Sequence, residues 1–258
     1  MKIEKITVIG SGNVASNLAI RLFNAGVQIV QVYGKTEKSA KQLSTQINAT
    51  SISAMSELVL DTQLIVIAVP DDVISKLAPL LPASIPCVHT SGSIEIDKLN
   101  NGQRDYGSFY PLQTLTSGQV DTSTEIPILI ESSSLKFSKQ LEELASRFTN
   151  QVSFISSEKR KELHVAAVMV NNFTNQIYAE AENYCRKNEL SFELLKPLIL
   201  ETAKKIQYNS PSSVQTGPAK RNDQQVIEEH LKILSDQPDL RQLYQLITDL
   251  IIKSQSNT

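Results

Sequence analysis

Hydrophobic and polar positions follow two different periods along this chain. Short apolar, β-branched runs occur at 5–10 (KITVIG), 27–34 (VQIVQVYG), 63–70 (QLIVIAVP) and 85–92 (IPCVHTSG). Between them lie segments whose apolar residues stand three or four apart, the spacing of one helix face. In 13–26 that face is Val14, Leu18, Leu22 and Phe23, and Gly26 is placed to end the helix. A second helix is predicted over 37–47 and a short one over 71–80. The 63–70 run is almost wholly apolar, as a strand covered on both faces of a parallel sheet must be. Further strand-like pieces follow around YGSFYP, IPILIE and VSFIS. Strands alternating with helices across short turns predict an α/β fold, a Rossmann-type doubly wound parallel sheet.

After about residue 156 the strand period stops. Residues 157–188 suit one long helix, roughly 45 Å at 1.5 Å per residue. Leu163, Ala166, Val170, Phe173, Ile177, Ala181 and Tyr184 fall on one apolar stripe. His164, Val168, Asn171, Asn175 and Tyr178 fall on another. Val165 to Val170 is apolar all round, which predicts burial on every side. Polar groups among such residues need partners, either loop backbone or a cofactor and substrate. Another helix is predicted over 191–206, kinked at Pro197. One more spans NDQQVIEEHLKIL (222–234), capped by Asn222 or Asp223, and a last one starts with Pro238 in its first turn. The closing SQSNT reads as a frayed tail. Two domains are predicted: 1–156, binding a dinucleotide, and 157–258, all-α, built on the long central helix and serving substrate and dimer formation.

Composition narrows the function. Hydrophobic residues make up 41% and charged residues 20%, enough for a core and too apolar for global disorder. The net charge of -2 gives no basic footprint for nucleic acid or an acidic membrane surface. No apolar run approaches the ~18 residues of a membrane span. No leader pattern precedes the first strand, and Cys87 and Cys185 lie in apolar or helical surroundings that suit reduced thiols. A cytoplasmic protein with a small-molecule partner is expected.

The turn after the first strand, VIGSGNVA, reads G-x-G-x-x-A through Gly10, Gly12 and Ala15. Gly10 permits the tight turn, Gly12 lets backbone N–H groups approach a pyrophosphate, and Ala15 lets the helix pack close to the strand. Gly10, Ser11, Gly12, Asn13 and Val14 are therefore expected to cradle a dinucleotide at a helix N-terminus. NAD sites place a carboxylate about 20 residues further on, at the tip of the second strand. Here that tip is Tyr33, Gly34, Lys35 and Thr36, with Glu37 one step later. An ammonium and a hydroxyl welcome a 2′-phosphate that a carboxylate would repel, so NADP(H) is favoured over NAD(H). Val69 and Pro70 end another strand on the cofactor side, with Asp71 or Asp72 as the next helix cap. Ser91 stands in VHTSGS, where a hydroxyl beside a glycine would meet the carboxamide or the substrate, and His89 would orient that loop. His164 shares its helix face with amides and is the first candidate for acid–base work. No G-x-x-x-x-G-K-[ST] occurs, and His89, His164 and His230 show no metal-ligand spacing, so no metal is expected.

A nucleotide-binding sheet followed by a helical domain resembles the broad group of 6-phosphogluconate, β-hydroxyacid, ketopantoate and pyrroline-5-carboxylate enzymes. In its β-hydroxyacid dehydrogenases a lysine stands three residues before an Asn-Asn pair. Here the pair is Asn171-Asn172 and that position is Val168. VHTSGS, SFYPLQT, LHVAAVMVNNF and TGPAKRNDQQVIEEHL together resemble, over nearly the whole chain, a bacterial family that joins a Rossmann-like domain to a helical domain of unknown function. Its members are labelled NADP oxidoreductases. Many carry histidine before Pro-Leu-Gln-Thr, where this chain has Tyr110. The resemblance implies an NADP(H)-dependent oxidoreductase acting on a small carbonyl, imine or hydroxy acid in an interdomain cleft, within a homodimer. His164 and Tyr110 are then the proton-transfer candidates, Ser91, Asn171 and Asn172 orient substrate or nicotinamide, and Arg221 holds a substrate carboxylate as a bidentate partner. The alternative is a non-catalytic NADP(H)-binding sensor or scaffold.

Overall fold

Eight strands form one sheet in the computed structural model, which describes residues 2–116 and 120–255. The end of the SQSNT tail, 256–258, lies outside the described residues. In chain order the strands are β1 (Lys5–Ile9), β2 (Gln28–Tyr33), β3 (Thr50–Ile52), β4 (Leu64–Ile67), β5 (Cys87–His89), β6 (Tyr106–Pro111), β7 (Ile128–Ser132) and β8 (Val152–Phe154). They lie in the order β3-β2-β1-β4-β5-β6-β7-β8. The first six follow the dinucleotide-binding order, and the direction of winding reverses between β1 and β4, which opens a crevice at their carboxyl ends. One junction departs from the expected parallel sheet: β7 runs antiparallel to β6, pairing Gly107 with Ser132 through Pro111 with Ile128. An antiparallel neighbour needs no crossover helix, and side-chain periodicity carries no strand direction. The three residues of β3 are too few for a sequence pattern.

Alternate residues of β4 explain its unbroken apolar run. Leu64 and Val66 enter one core with Leu18 and Leu22, while Ile65 and Ile67 enter a second with Ile74 and Leu99. Helices therefore cover both faces, and each fully buried Leu or Ile contributes about 1.5–3 kcal/mol. The first of them, α1 (Asn13–Asn24), ends ahead of Gly26, whose φ of +81 is the left-handed conformation of a helix stop. Thr36 caps α2 (Glu37–Gln46) by accepting the Ser39 N–H. At α3 (Asp71–Leu77) the cap residue is Pro70, and Asp71 and Asp72 lie in the first turn. They act on the helix dipole and do not cap, contrary to expectation. Between β7 and β8 runs α4 (Leu135–Ala145).

The long helical run is divided. It consists of α5 (Ser157–Val168), a π-helical turn (Met169–Phe173) and α6 (Thr174–Lys187). The chain separates into two compact units, Met1–Asn172 and Phe173–Thr258, so the division falls inside this run, later than the composition change at 156. The second unit continues with α7 (Lys196–Tyr208), α8 (Gln224–Ile233) and α9 (Pro238–Gln255). Pro197 sits in the first turn of α7 and does not kink it, because a helix start has no carbonyl partner for the missing N–H. Asp223 caps α8 through the Val226 N–H, and Pro238 opens α9, both as expected. Burial of Val165 to Val170 on every side is not found: Val165 is 62% and Val170 75% exposed. The apolar period is real, and among the described residues these side chains are not covered. No described helix is long and apolar enough to cross a membrane.

Candidate active site

The turn from β1 to α1 is built for close approach. Gly10 has a φ of +126, and an added Cβ would stand 2.1 Å from the Ala68 carbonyl oxygen at the end of β4. Only glycine fits there. Ala15 is buried against it, so α1 starts close to the sheet. An added Cβ on Gly12 would meet nothing within 4 Å, so this residue leaves its backbone open. The first turn of α1 carries no acidic side chain. Free N–H groups, the positive end of the helix dipole and the absence of a repelling charge suit a phosphate. A cavity of about 450 Å³ begins here, between Gly12, Asn13 and Val14 on one side and Val69 and Pro70 on the other. A dinucleotide fits these residues.

At the tip of β2, Gly34 permits another close approach. An added Cβ would lie 2.8 Å from both the Ala40 Cβ and the Ser11 Oγ. The Ser11 hydroxyl donates to Ser39 Oγ at 2.8 Å, and Ser39 Oγ is 2.8 Å from Thr36 Oγ1. Three hydroxyls thus gather beside the exposed Lys35, while Glu37 stands in the first turn of α2. Ser39 went unnoticed in the sequence because it lies on a helix three residues beyond the loop.

The same 450 Å³ cavity reaches the loop after β5. His89 is 0% exposed, and burial, aided by the nearby Arg160 charge, pushes its pKa from the ordinary 6.5 down to about 3. The ring is therefore neutral. Its Nδ1 accepts the Ser91 N–H at 3.1 Å, which leaves the proton on Nε2. His89 orients the loop, as expected. Ser91 Oγ accepts from the N–H groups of Ser93 and Ile94, and its own hydroxyl proton remains to be donated.

Above this loop stand the two proton-transfer candidates. Tyr110 Oη lies 2.9 Å from His164 Nδ1, with the rings edge to face. Tyr110 is 8% exposed, and burial raises its pKa above the ordinary phenol value, so the hydroxyl stays protonated at neutral pH. An added Cβ on Gly92 would stand 2.6 Å from His164 Nδ1, so the imidazole rests directly on that glycine. A second cavity, of about 410 Å³, opens beyond the pair. Its walls include Leu112, Leu163, Ala167 and Val168, with the amides of Asn171 and Asn172 from the π turn. Tyr110, His164 and Gln113 border both cavities. Gln113 carried no signal in the sequence beyond its place in PLQT.

Arg221 is placed by the fold of its own unit, the second, exposed on the turn ahead of α8. In the same unit His230 Nδ1 is 2.8 Å from the Tyr244 hydroxyl. Among the described residues no three His, Cys, Asp or Glu are grouped to hold a metal ion.

Comparison with known proteins agrees with this fold. A family model described as "NADP oxidoreductase coenzyme F420-dependent" matches residues 5–89, and one described as a domain of unknown function, DUF2520, matches residues 126–251. A solved structure from Bacteroides fragilis, provisionally named an NADP oxidoreductase, is 38% identical with a TM-score of 0.90, covering 98% of each chain. Pyrroline-5-carboxylate reductase from Streptococcus pyogenes shares the fold at 13% identity and a TM-score of 0.65, over 96% of this chain and 98% of the other. So does an imine reductase from Myxococcus stipitatus, solved with NADP+, at 14% identity and 0.64, over 98% and 94%. No curated protein sequence matches the chain.

Proposed function

The chain belongs to the family that joins an NADP-oxidoreductase-type Rossmann domain to the domain DUF2520, and from that premise we propose an NADP(H)-dependent oxidoreductase that moves hydride to or from a small carbonyl, imine or hydroxy acid. The carrying observation is that one hydrogen-bonded pair, Tyr110 and His164, borders two adjoining cavities, of which only one reaches the glycine turn. The cavity at the turn would take the cofactor and the other the substrate. A bound nicotinamide supplies the hydride chemistry.

The chain's own groups bind, orient and move the proton. The backbone of Gly10 to Val14 holds the pyrophosphate, with Val69 and Pro70 against the other wall. Lys35 and the hydroxyls of Ser11, Thr36 and Ser39 hold a 2′-phosphate, which favours NADP(H) over NAD(H). The Tyr110 O–H points to the reacting oxygen or nitrogen and donates to it. His164 then returns a proton from Nδ1 to the Tyr110 oxygen while its Nε2 takes one from solvent, and the reverse sequence serves the oxidation. Ser91, Asn171 and Asn172 orient substrate and carboxamide through their hydroxyl and amides. Arg221 is the proposed partner of a substrate carboxylate.

The chain is further read as a cytoplasmic homodimer. Its two buried free thiols, Cys87 and Cys185, suit a reducing compartment. Exposed apolar side chains along α5 and the π turn, Val165, Met169 and Phe173 among them, supply a face for a second copy.

Titration with NADPH and NADH, followed by nicotinamide fluorescence, tests the reading. NADPH is expected to bind at least about tenfold tighter, worth ~1.4 kcal/mol, and Thr36→Val with Lys35→Ala to erase the difference. Binding of neither nucleotide would remove the oxidoreductase reading. With binding intact, turnover unaffected by Tyr110→Phe and by His164→Asn would remove this pair from the proton step.

A further inference from the structure

Arg160 is 0% exposed, an unusual state for a guanidinium. It lies one turn ahead of His164 on the same face of α5. Its Nη1 donates to Glu131 Oε2 at 2.5 Å. Its Nη2 donates to the Ile94 carbonyl and, at 3.0 Å, to Ser157 Oγ. The Ser157 hydroxyl donates to the same Glu131 oxygen at 2.6 Å. Glu131 on β7 is in register with Ser108 on β6, and Ser108 with His89 on β5, so the ion pair is joined to the row of the sheet that ends in the site loop.

These contacts close a ring. The Ile94 carbonyl that receives Arg160 belongs to the loop after β5, and the Ile94 N–H donates to Ser91 Oγ at 3.1 Å. Ser91 is held by His89, and Gly92 beside it carries the ring of His164. His164 returns to Arg160 through one turn of α5. We propose that Arg160 is the positioning residue of the site, fixing the loop after β5 against α5 so that His164 meets Tyr110 and both cavities at once. The inference rests on the Tyr110–His164 reading of the active site.

The ring needs arginine. One face of the guanidinium serves a carboxylate and another a carbonyl from a different segment, and a single ammonium cannot hold both directions. Lysine would keep the charge beside Glu131 and release Ile94. A neutral residue at 160 alone would strand the Glu131 charge and endanger folding, so the second variant removes both charges together.

The test uses the full chain with isotope-labelled histidine and reads imidazole nitrogen resonances, which require no substrate. His164 is assigned from His164→Asn. Its Nδ1 signal in Tyr110→Phe gives the position without the tyrosine bond. In Arg160→Lys, and in the double variant Arg160→Met with Glu131→Gln, the His164 Nδ1 signal is expected to move at least half of the way to that position. His230, held by Tyr244 in the second unit, is expected to keep its wild-type signal in the same samples. A structural role alone would change unfolding temperature and leave the His164 signal in place. An unmoved His164 signal in a folded Arg160 variant overturns the proposal while the active-site reading stands. A signal unmoved in Tyr110→Phe itself overturns both. Failure of both Arg160 variants to fold assigns the residue to folding and also overturns it.

Discussion

Replacing His89 by asparagine should remove a specific part of the protein's acid sensitivity. The ring is fully buried, and burial is the main cause that carries its pKa from 6.5 to about 3, with the Arg160 charge adding to it. Between those values the unfolded chain takes up a proton and the folded chain does not. The unfolded state therefore binds more protons, and stability rises with pH across this window. His89's contribution is complete above about pH 6.5 and is lost progressively as pH falls towards 3. Each pH unit inside the window is worth about 1.4 kcal/mol, so the fall from pH 7 to pH 5 removes about 2 kcal/mol. Asparagine places its amide oxygen near the position of Nδ1, where it accepts the Ser91 N–H, and carries no titrating group. Urea unfolding of both proteins at pH 7 and pH 5 isolates the effect, because carboxylates contribute equally to the two. Wild type should lose about 2 kcal/mol more than His89→Asn over that interval. Equal losses would refute the reasoning, since they would mean that the folded ring titrates near its ordinary value.

Gly92→Ala should displace the His164 ring, because its new Cβ would start 2.6 Å from Nδ1 and 2.7 Å from Cγ. Turnover in an NADPH-oxidation assay is expected to fall about 100-fold with the unfolding midpoint little changed, and unaltered turnover would detach the imidazole from the chemistry. Val165→Lys tests the dimer: the side chain is 62% exposed in the chain, so the fold should change by less than about 0.5 kcal/mol, while a charge enclosed by a second copy would break the assembly. Sedimentation equilibrium should then give twice the 28.5 kDa chain mass for wild type and the single mass for the variant, and a wild-type protein of single mass would overturn the dimer.

The sheet was legible because each of its signals is local. The apolar run of β4 follows from burial on two faces, and Gly10 and Ala15 declare the turn that follows β1. The antiparallel entry of β7 was not legible, since a run of alternating side chains looks alike in either direction. In the helical half the apolar period was correct and its consequence was not: Val165 and Val170 are exposed in the chain because a period shows which residues want cover, not what covers them. The π turn that carries Asn171 and Asn172 left no trace in the spacing.

The site divides along the same line. His164 and Tyr110 stood out separately, each by residue type and motif, but 54 residues separate them and only the folded sheet brings their polar atoms to 2.9 Å. Gly92 was visible as a loop glycine, whereas the reason for it is a ring from another element. Arg160 carried no signal in the sequence, and only its burial distinguishes it from a surface charge. Val168 completes the argument. It stands where the resemblance to the β-hydroxyacid dehydrogenases would set a lysine, lies one turn after His164 on the same helix face, and forms an apolar part of the second cavity's wall. A group there has no proton to give. On the proposed reading the proton duty therefore moves one turn back along α5 to His164 and across to Tyr110 on β6.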